Sequence, residues 1–249
     1  MSNIKIIKAI AKDCDLKNER NARIRDSKFN KLVYYDGHIE LVNDTIDEVR
    51  LCGNIPPKNE LKVYSMDDLL YRGLEISNSK IENITMCNDC WLHLGNLARV
   101  KDLICTQPLA EASIRGEAHV ERLILESGGS MSAHHGQIDI VEIHRGGKLY
   151  VAERAVISRC VVSPTGEVRV GYRDGSPQSV PVIHHLKLYA DSTLNIKGDV
   201  AIGELEVCCN AKIQRQFIAT VFIGKLIENC HPVTNVSEWI HKHSADAIA

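Results

Sequence analysis

Residues 120–162 read VERLILESGGSMSAHHGQIDIVEIHRGGKLYVAERAVISRCVV, and this stretch decides the fold. Two patterns take turns in it. One is a six-residue unit with apolar residues first, fourth and sixth: Val120/Leu123/Leu125, then Ile140/Ile143 with Arg145 in the third slot, then Ile157/Cys160/Val162. The other is a shorter run, SMSAHHG and KLYVAERA, in which apolar and polar residues mostly exchange at every step. An exchange at every residue is the period of a strand, not of a helix. Gly128-Gly129 and Gly146-Gly147 separate the two patterns and supply the backbone freedom of a sharp corner. One repeat therefore reads strand, corner, strand, corner.

Outward from this stretch the unit recurs as Ile46/Val49/Leu51, Ile81/Ile84/Met86, Val100/Leu103/Cys105, Ile183/Leu186/Leu188, Ile202/Leu205/Val207 and Ile223/Leu226, about every twenty residues over the middle of the chain. Such a period marks stacked coils, none of which buries its apolar face alone. The expected fold is all-β, a right-handed parallel β-helix (β-solenoid) over residues 46–230. An N-terminal cap is expected over 1–45, and a C-terminal helical cap over 231–249, where Asn235 or Ser237 offers an N-cap and Trp239, Ile240 and His243 fall at helical spacing. Two interruptions, at 52–80 with Pro56-Pro57 and at 171–182, read as insertions, the places where solenoids carry working surfaces.

Composition agrees. The 249 residues are 44% hydrophobic but only 5% aromatic, a core of Val, Ile, Leu and Ala that suits a narrow tube. A formal net charge of −2 with 25% charged residues gives no sign of a nucleic-acid or membrane-surface protein. No apolar span is long enough for a membrane helix, and the N-terminal residues do not read as a secretory signal, so a cytoplasmic location is expected. Of the nine cysteines, Cys105 and Cys160 occupy core slots and read as free structural thiols; Cys87-x-x-Cys90 lacks the second ligand pair of a zinc site.

The run IHRGGKLYVAERAVISRCVVSPTGEVRVG (143–171) resembles the passenger repeats of AIDA-type autotransporter adhesins, in its Gly146-Gly147, Leu149/Val151, Gly166 and Val168/Val170. That resemblance implies a right-handed β-helix and an adhesive, protein-binding role. STLNIKGDVAIGELEV (192–207) is similar to bactofilins, which implies a self-assembling scaffold.

For an enzyme of the carbohydrate-active β-helix class, clustered carboxylates are needed on one face. Asp102, Glu121, Glu142 and Glu204 read instead as a ladder at comparable repeat positions, a solvated flank. His134-His135, His144 and His184-His185 fall in nearby coils, without carboxylates or cysteines at recognisable metal spacing. The expectation is a non-catalytic interaction protein without cofactor or metal. Its partner is a protein, or a second copy in a homo-oligomer, met through His144, His184, His185 and the insertion residues Tyr172, Arg173 and Asp174.

Overall fold

The computed structural model describes residues 3–7, 10–16, 21–34, 38–52, 73–87, 91–106, 111–126, 128–171, 180–215 and 219–229, and every regular element among them is a strand. Short and long strands alternate. The short ones are β1 (Asn3–Ile7), β3 (Asn21–Arg25), β5 (His38–Val42), β7 (Gly73–Ser77), β9 (Trp91–Leu94), β11 (Glu111–Ile114), β13 (Ser130–Ala133), β15 (Lys148–Val151), β17 (Glu167–Val170), β19 (Thr193–Ile196) and β21 (Lys212–Arg215). The long ones are β2 (Ile10–Leu16), β4 (Lys28–Tyr34), β6 (Thr45–Cys52), β8 (Lys80–Cys87), β10 (Arg99–Cys105), β12 (His119–Leu125), β14 (Gln137–Ile143), β16 (Val156–Val162), β18 (Val182–Leu188), β20 (Val200–Cys208) and β22 (Val221–Asn229). Each kind forms its own 11-stranded parallel sheet, in which every strand pairs with the equivalent strand of the next coil. The protein is a β-solenoid. Residues 1–45, expected as a cap, carry β1 to β5, which continue the same two sheets; the segment 231–249 lies outside the described residues.

The six-residue unit is the inward face of the long strand. In β10 the buried residues are Val100, Leu103 and Cys105, and β12 stacks Val120, Leu123 and Leu125 on them in register. Two consecutive outward residues stand between the first and second buried positions, so the long strand cannot be straight there; the coil bends inside it. The short strands alternate simply, as in Leu149 and Val151 of β15. The inward side chains of both sheets fuse into one continuous apolar core, each fully buried Leu or Ile contributing about 1.5–3 kcal/mol.

One copy of the unit is framed differently from the sequence reading. Ile138, Val141 and Ile143 are the buried residues of β14, and Ile140 is half-exposed on the outside, aligned with Arg122 and Arg159. The four acidic residues read as one ladder consequently separate. Asp102 and Glu204 share a slot just past the bend, Glu121 sits at the bend, and Glu142 lies further along its strand and is buried, 4% exposed.

Corners use left-handed residues in columns. In the corners that follow β12, β14, β16, β18 and β20, Gly128, Gly146, Thr165, Asp191 and Asn210 take positive φ at equivalent turn positions. The inner side of the opposite corners takes small residues, Ala98, Ala118 and Ala155 among them, because the next coil lies directly below.

Candidate functional site

The corners from short to long strand produce a dent on one edge of the solenoid. Four residues join β11 to β12 (115–118) and four join β15 to β16 (152–155), but three, His134, His135 and Gly136, join β13 to β14. The shorter corner is drawn inward between two longer ones. Gly136 makes this passable: its φ is +78°, and a Cβ there would stand 2.4 Å from the Ala118 carbonyl oxygen and 2.8 Å from Ile114 Cγ2. The result is an open cleft of about 550 Å³ lined by Gly116, Glu117, Ala118, His119, His135, Gly136, Gln137, Arg154 and Val156.

Its imidazoles are held by carboxylates of the following coil. His119 Nε2 lies 2.8 Å from Asp139 Oδ2, and the Gln137 amide donates to Asp139 Oδ1 at 2.7 Å. Glu153 takes one imidazole on each oxygen, His135 Nε2 at 2.6 Å and His134 Nδ1 at 3.3 Å. On the rim, Glu117 and Arg154 are exposed and make no ion pair among the described residues. The lining therefore offers fixed donors and acceptors with one unengaged charge of each sign. Among the described residues no group of three or more His, Cys, Asp or Glu side chains is placed to hold a metal ion.

The sequence candidates scatter. His144 directly follows the last inward residue of β14 and lies 3.3 Å from Glu142 Oε2. Burial opposes the charged form of Glu142, but hydrogen bonds from His144 and Arg122 outweigh it and hold the carboxyl below its usual range; the same bond to Glu142 pushes His144 up. His184 sits at the bend of β18, and His185 aligns with Arg159 and Glu204, so both point from a different face and a different coil than His144. Tyr172, Arg173 and Asp174 lie outside the described residues. What sequence reasoning missed is the cross-coil pairing of His119 with Asp139 and of His135 with Glu153, which becomes visible only when the coil length is applied to charged residues.

A second polar column runs along the short-strand sheet, where Glu75, His93 and Ser113 are in register on three consecutive strands. His93 Nδ1 lies 2.9 Å from Ser113 Oγ, and Trp91 stacks on the imidazole at 5.6 Å. Burial pushes the His93 pKa down, with the Glu75 charge opposing. Ser113 is only 8% exposed, and the strand backbone around it is committed to sheet pairing, which leaves no amide pair free for an oxyanion. The column is a stabilising ladder rather than a nucleophile site.

No family model, no curated protein and no solved structure matches this chain. No helix among the described residues is long and apolar enough to cross a membrane.

Proposed function

We propose that this protein is a non-catalytic binding platform, a β-solenoid that receives a side chain of a partner protein in the corner cleft around Gly136. The observation that carries the reading is the pairing of each cleft imidazole with a carboxylate of the next coil, which fixes the lining while Glu117 and Arg154 stay available on the rim. Preorganised polar groups on a stiff scaffold lose little entropy on binding. Tyr172, Arg173 and Asp174 lie outside the described residues; β18, which follows them in sequence, pairs its Val182 with Val156 of the cleft. Adhesion, implied by the AIDA-type rhythm, is one form of this role. The test is affinity capture from the native host with quantitative mass spectrometry, comparing the parent with Arg154→Glu and with a Tyr172→Ala/Arg173→Ala/Asp174→Ala variant. A defined partner lost from both variants at unchanged melting temperature is the expected result; the same partner set recovered by both refutes it.

One observation favours a second reading, self-association through the last coil. The residues at its inward slots, Ile213, Ile223 and Leu226, are 46%, 36% and 54% exposed, and the neighbouring Phe222 is 67% exposed. Among the described residues β21 and β22 end their sheets, and an apolar coil end at a sheet edge is a template for another chain. Sedimentation of the parent against Leu226→Lys decides it: the reading requires concentration-dependent oligomers that the variant abolishes, and a monomeric parent eliminates it.

A further inference from the structure

Leu97, Glu117, His135 and Arg154 stand two residues before Arg99, His119, Gln137 and Val156, which pair in register along four consecutive coils. They are therefore one column on the edge of the stack, with about 4.8 Å from each coil to the next. The three-residue corner draws His135 inward, so the column has a gap where the cleft opens, with Glu117 on one lip and Arg154 on the other. Both are exposed and make no ion pair among the described residues. They sit two coils apart, about 9.6 Å. One coil beyond Glu117, Leu97 is 55% exposed and holds φ +59°, a conformation that bulky side chains rarely adopt. An exposed, strained leucine in line with two unengaged opposite charges makes one continuous contact line.

We infer that the occupant of this line is a polyproline II segment of the partner protein, with an acidic side chain on Arg154 and, three residues away, a basic one on Glu117. The inference rests on the corner cleft being the working surface, and it names the kind of chain that surface takes. A polyproline II helix rises about 3.1 Å per residue with about three residues per turn, so its side chains return to one face at intervals of about 9.3 Å. That interval matches the separation of the two lips. A β-strand returns to one face after two residues, about 6.7 Å, and at three residues turns one of the two charges away. The two residues between the charges pass over the cleft beside Val156, where Gly116 and Gly136 leave room for proline rings. A polyproline II backbone makes no hydrogen bonds within itself, and the Gln137 amide, which gives one N–H to Asp139, has a second for its carbonyls. Leu97 seats an apolar residue beyond the basic one.

A display library of random decapeptides, panned on the full chain, tests the assignment. Enriched sequences are expected to carry an acidic and a basic residue three positions apart with proline between them. Fluorescence anisotropy of a labelled synthetic copy should then show binding at least about tenfold weaker to Arg154→Glu and to Glu117→Arg, at unchanged melting temperature. The double variant Glu117→Arg/Arg154→Glu should recover it, because the peptide can lie in the opposite direction. Enriched peptides that need Arg154 but hold their charges at another spacing overturn the inference and leave the cleft reading standing. An absence of enriched peptides also overturns the inference, and peptides indifferent to both single substitutions overturn the cleft reading with it.

Discussion

Gly136 and Gly146 both sit in the left-handed region, at φ +78° and +75°, but only one of them is pressed against the neighbouring coil. A Cβ at Gly146 would meet nothing nearer than the Gly128 nitrogen at 3.6 Å, an ordinary contact, while one at Gly136 would stand 2.4 Å from the Ala118 oxygen. Alanine in the left-handed region costs about 1–2 kcal/mol, partly offset by the about 0.4–1 kcal/mol that removing a glycine takes from the unfolded chain's freedom. Gly146→Ala should therefore destabilise by about 1 kcal/mol or less. Gly136→Ala bears the same strain and also forces the corner off its neighbour. That puts at risk the hydrogen bonds from Gln137 N to Ala118 O (2.9 Å) and from Val156 N to Gly136 O (3.0 Å), about 0.5–1.5 kcal/mol each, and adds overpacking of about 1–3 kcal/mol against Ile114. A gap of about 3 kcal/mol between the two variants is expected. Urea denaturation followed by circular dichroism reads it as a difference in midpoint, and Gly136→Ala should also open the cleft and weaken partner capture. Variants of equal midpoint would refute the close approach of coils that shapes the cleft.

Asp44, 1% exposed, accepts from Ser27 N at 2.8 Å and Val42 N at 2.9 Å, yet burial pushes its pKa up to about 6, with the Asp26 charge adding to the rise. The folded state thus keeps a proton that the unfolded chain loses near 3.8, so stability falls between about 3.8 and about 6 and levels off above, a loss on the order of 3 kcal/mol. Ser79, in the next coil, accepts from Asp44 N at 2.9 Å and donates to Ser77 O at 2.9 Å; Asp44→Ser would repeat that arrangement and should flatten this limb in urea melts at pH 4.5 and about 7.5, whereas an unchanged slope would assign it to another group. Thr165 is β-branched at φ +65° in a turn where the next coils carry Asp191 and Asn210. Thr165→Asn should raise stability by up to about 1 kcal/mol despite loss of the bond from Gly146 N to Thr165 Oγ1, and a lower melting midpoint would show that this bond outweighs the strain.

The repeat was legible in the sequence wherever inward slots were cleanly apolar and their neighbours polar, as in Val100-x-x-Leu103-x-Cys105. It slipped in β14 because Ile138, Ile140, Val141 and Ile143 are all apolar, and both frames suit a strand; the bend after Ile138, a property of the stack, excludes Ile140 from the core. The three-residue corner before β14 shortens that coil and hid the true spacing. The N-terminal coils were obscured by dense charge, although Ile24, Leu32, Ile39 and Leu41 are fully buried; their lysines, arginines and glutamates face outward and pair across coils, as in Arg23–Glu40 at 2.7 Å and Lys31–Glu48 at 3.0 Å. The cleft was not legible, since its pairs join residues 18 to 20 positions apart and its concavity comes from a missing residue rather than a motif. His144, His184 and His185 looked like neighbours because their coils are close, but slot within the coil decides which face a side chain shares.

The register of the stack is the claim from which core and cleft follow, and two single substitutions two residues apart in β14 test it: Ile138→Asp and Ile140→Asp, each measured by equilibrium urea denaturation. Ile138 is 1% exposed in the core, so Ile138→Asp buries an unpaired charge and should cost at least about 3 kcal/mol or abolish folding. Ile140 faces outward between Arg122 and Arg159, so Ile140→Asp should lie within about 0.5 kcal/mol of the parent. A tolerated Ile138→Asp together with a disruptive Ile140→Asp would contradict the account and restore the other frame.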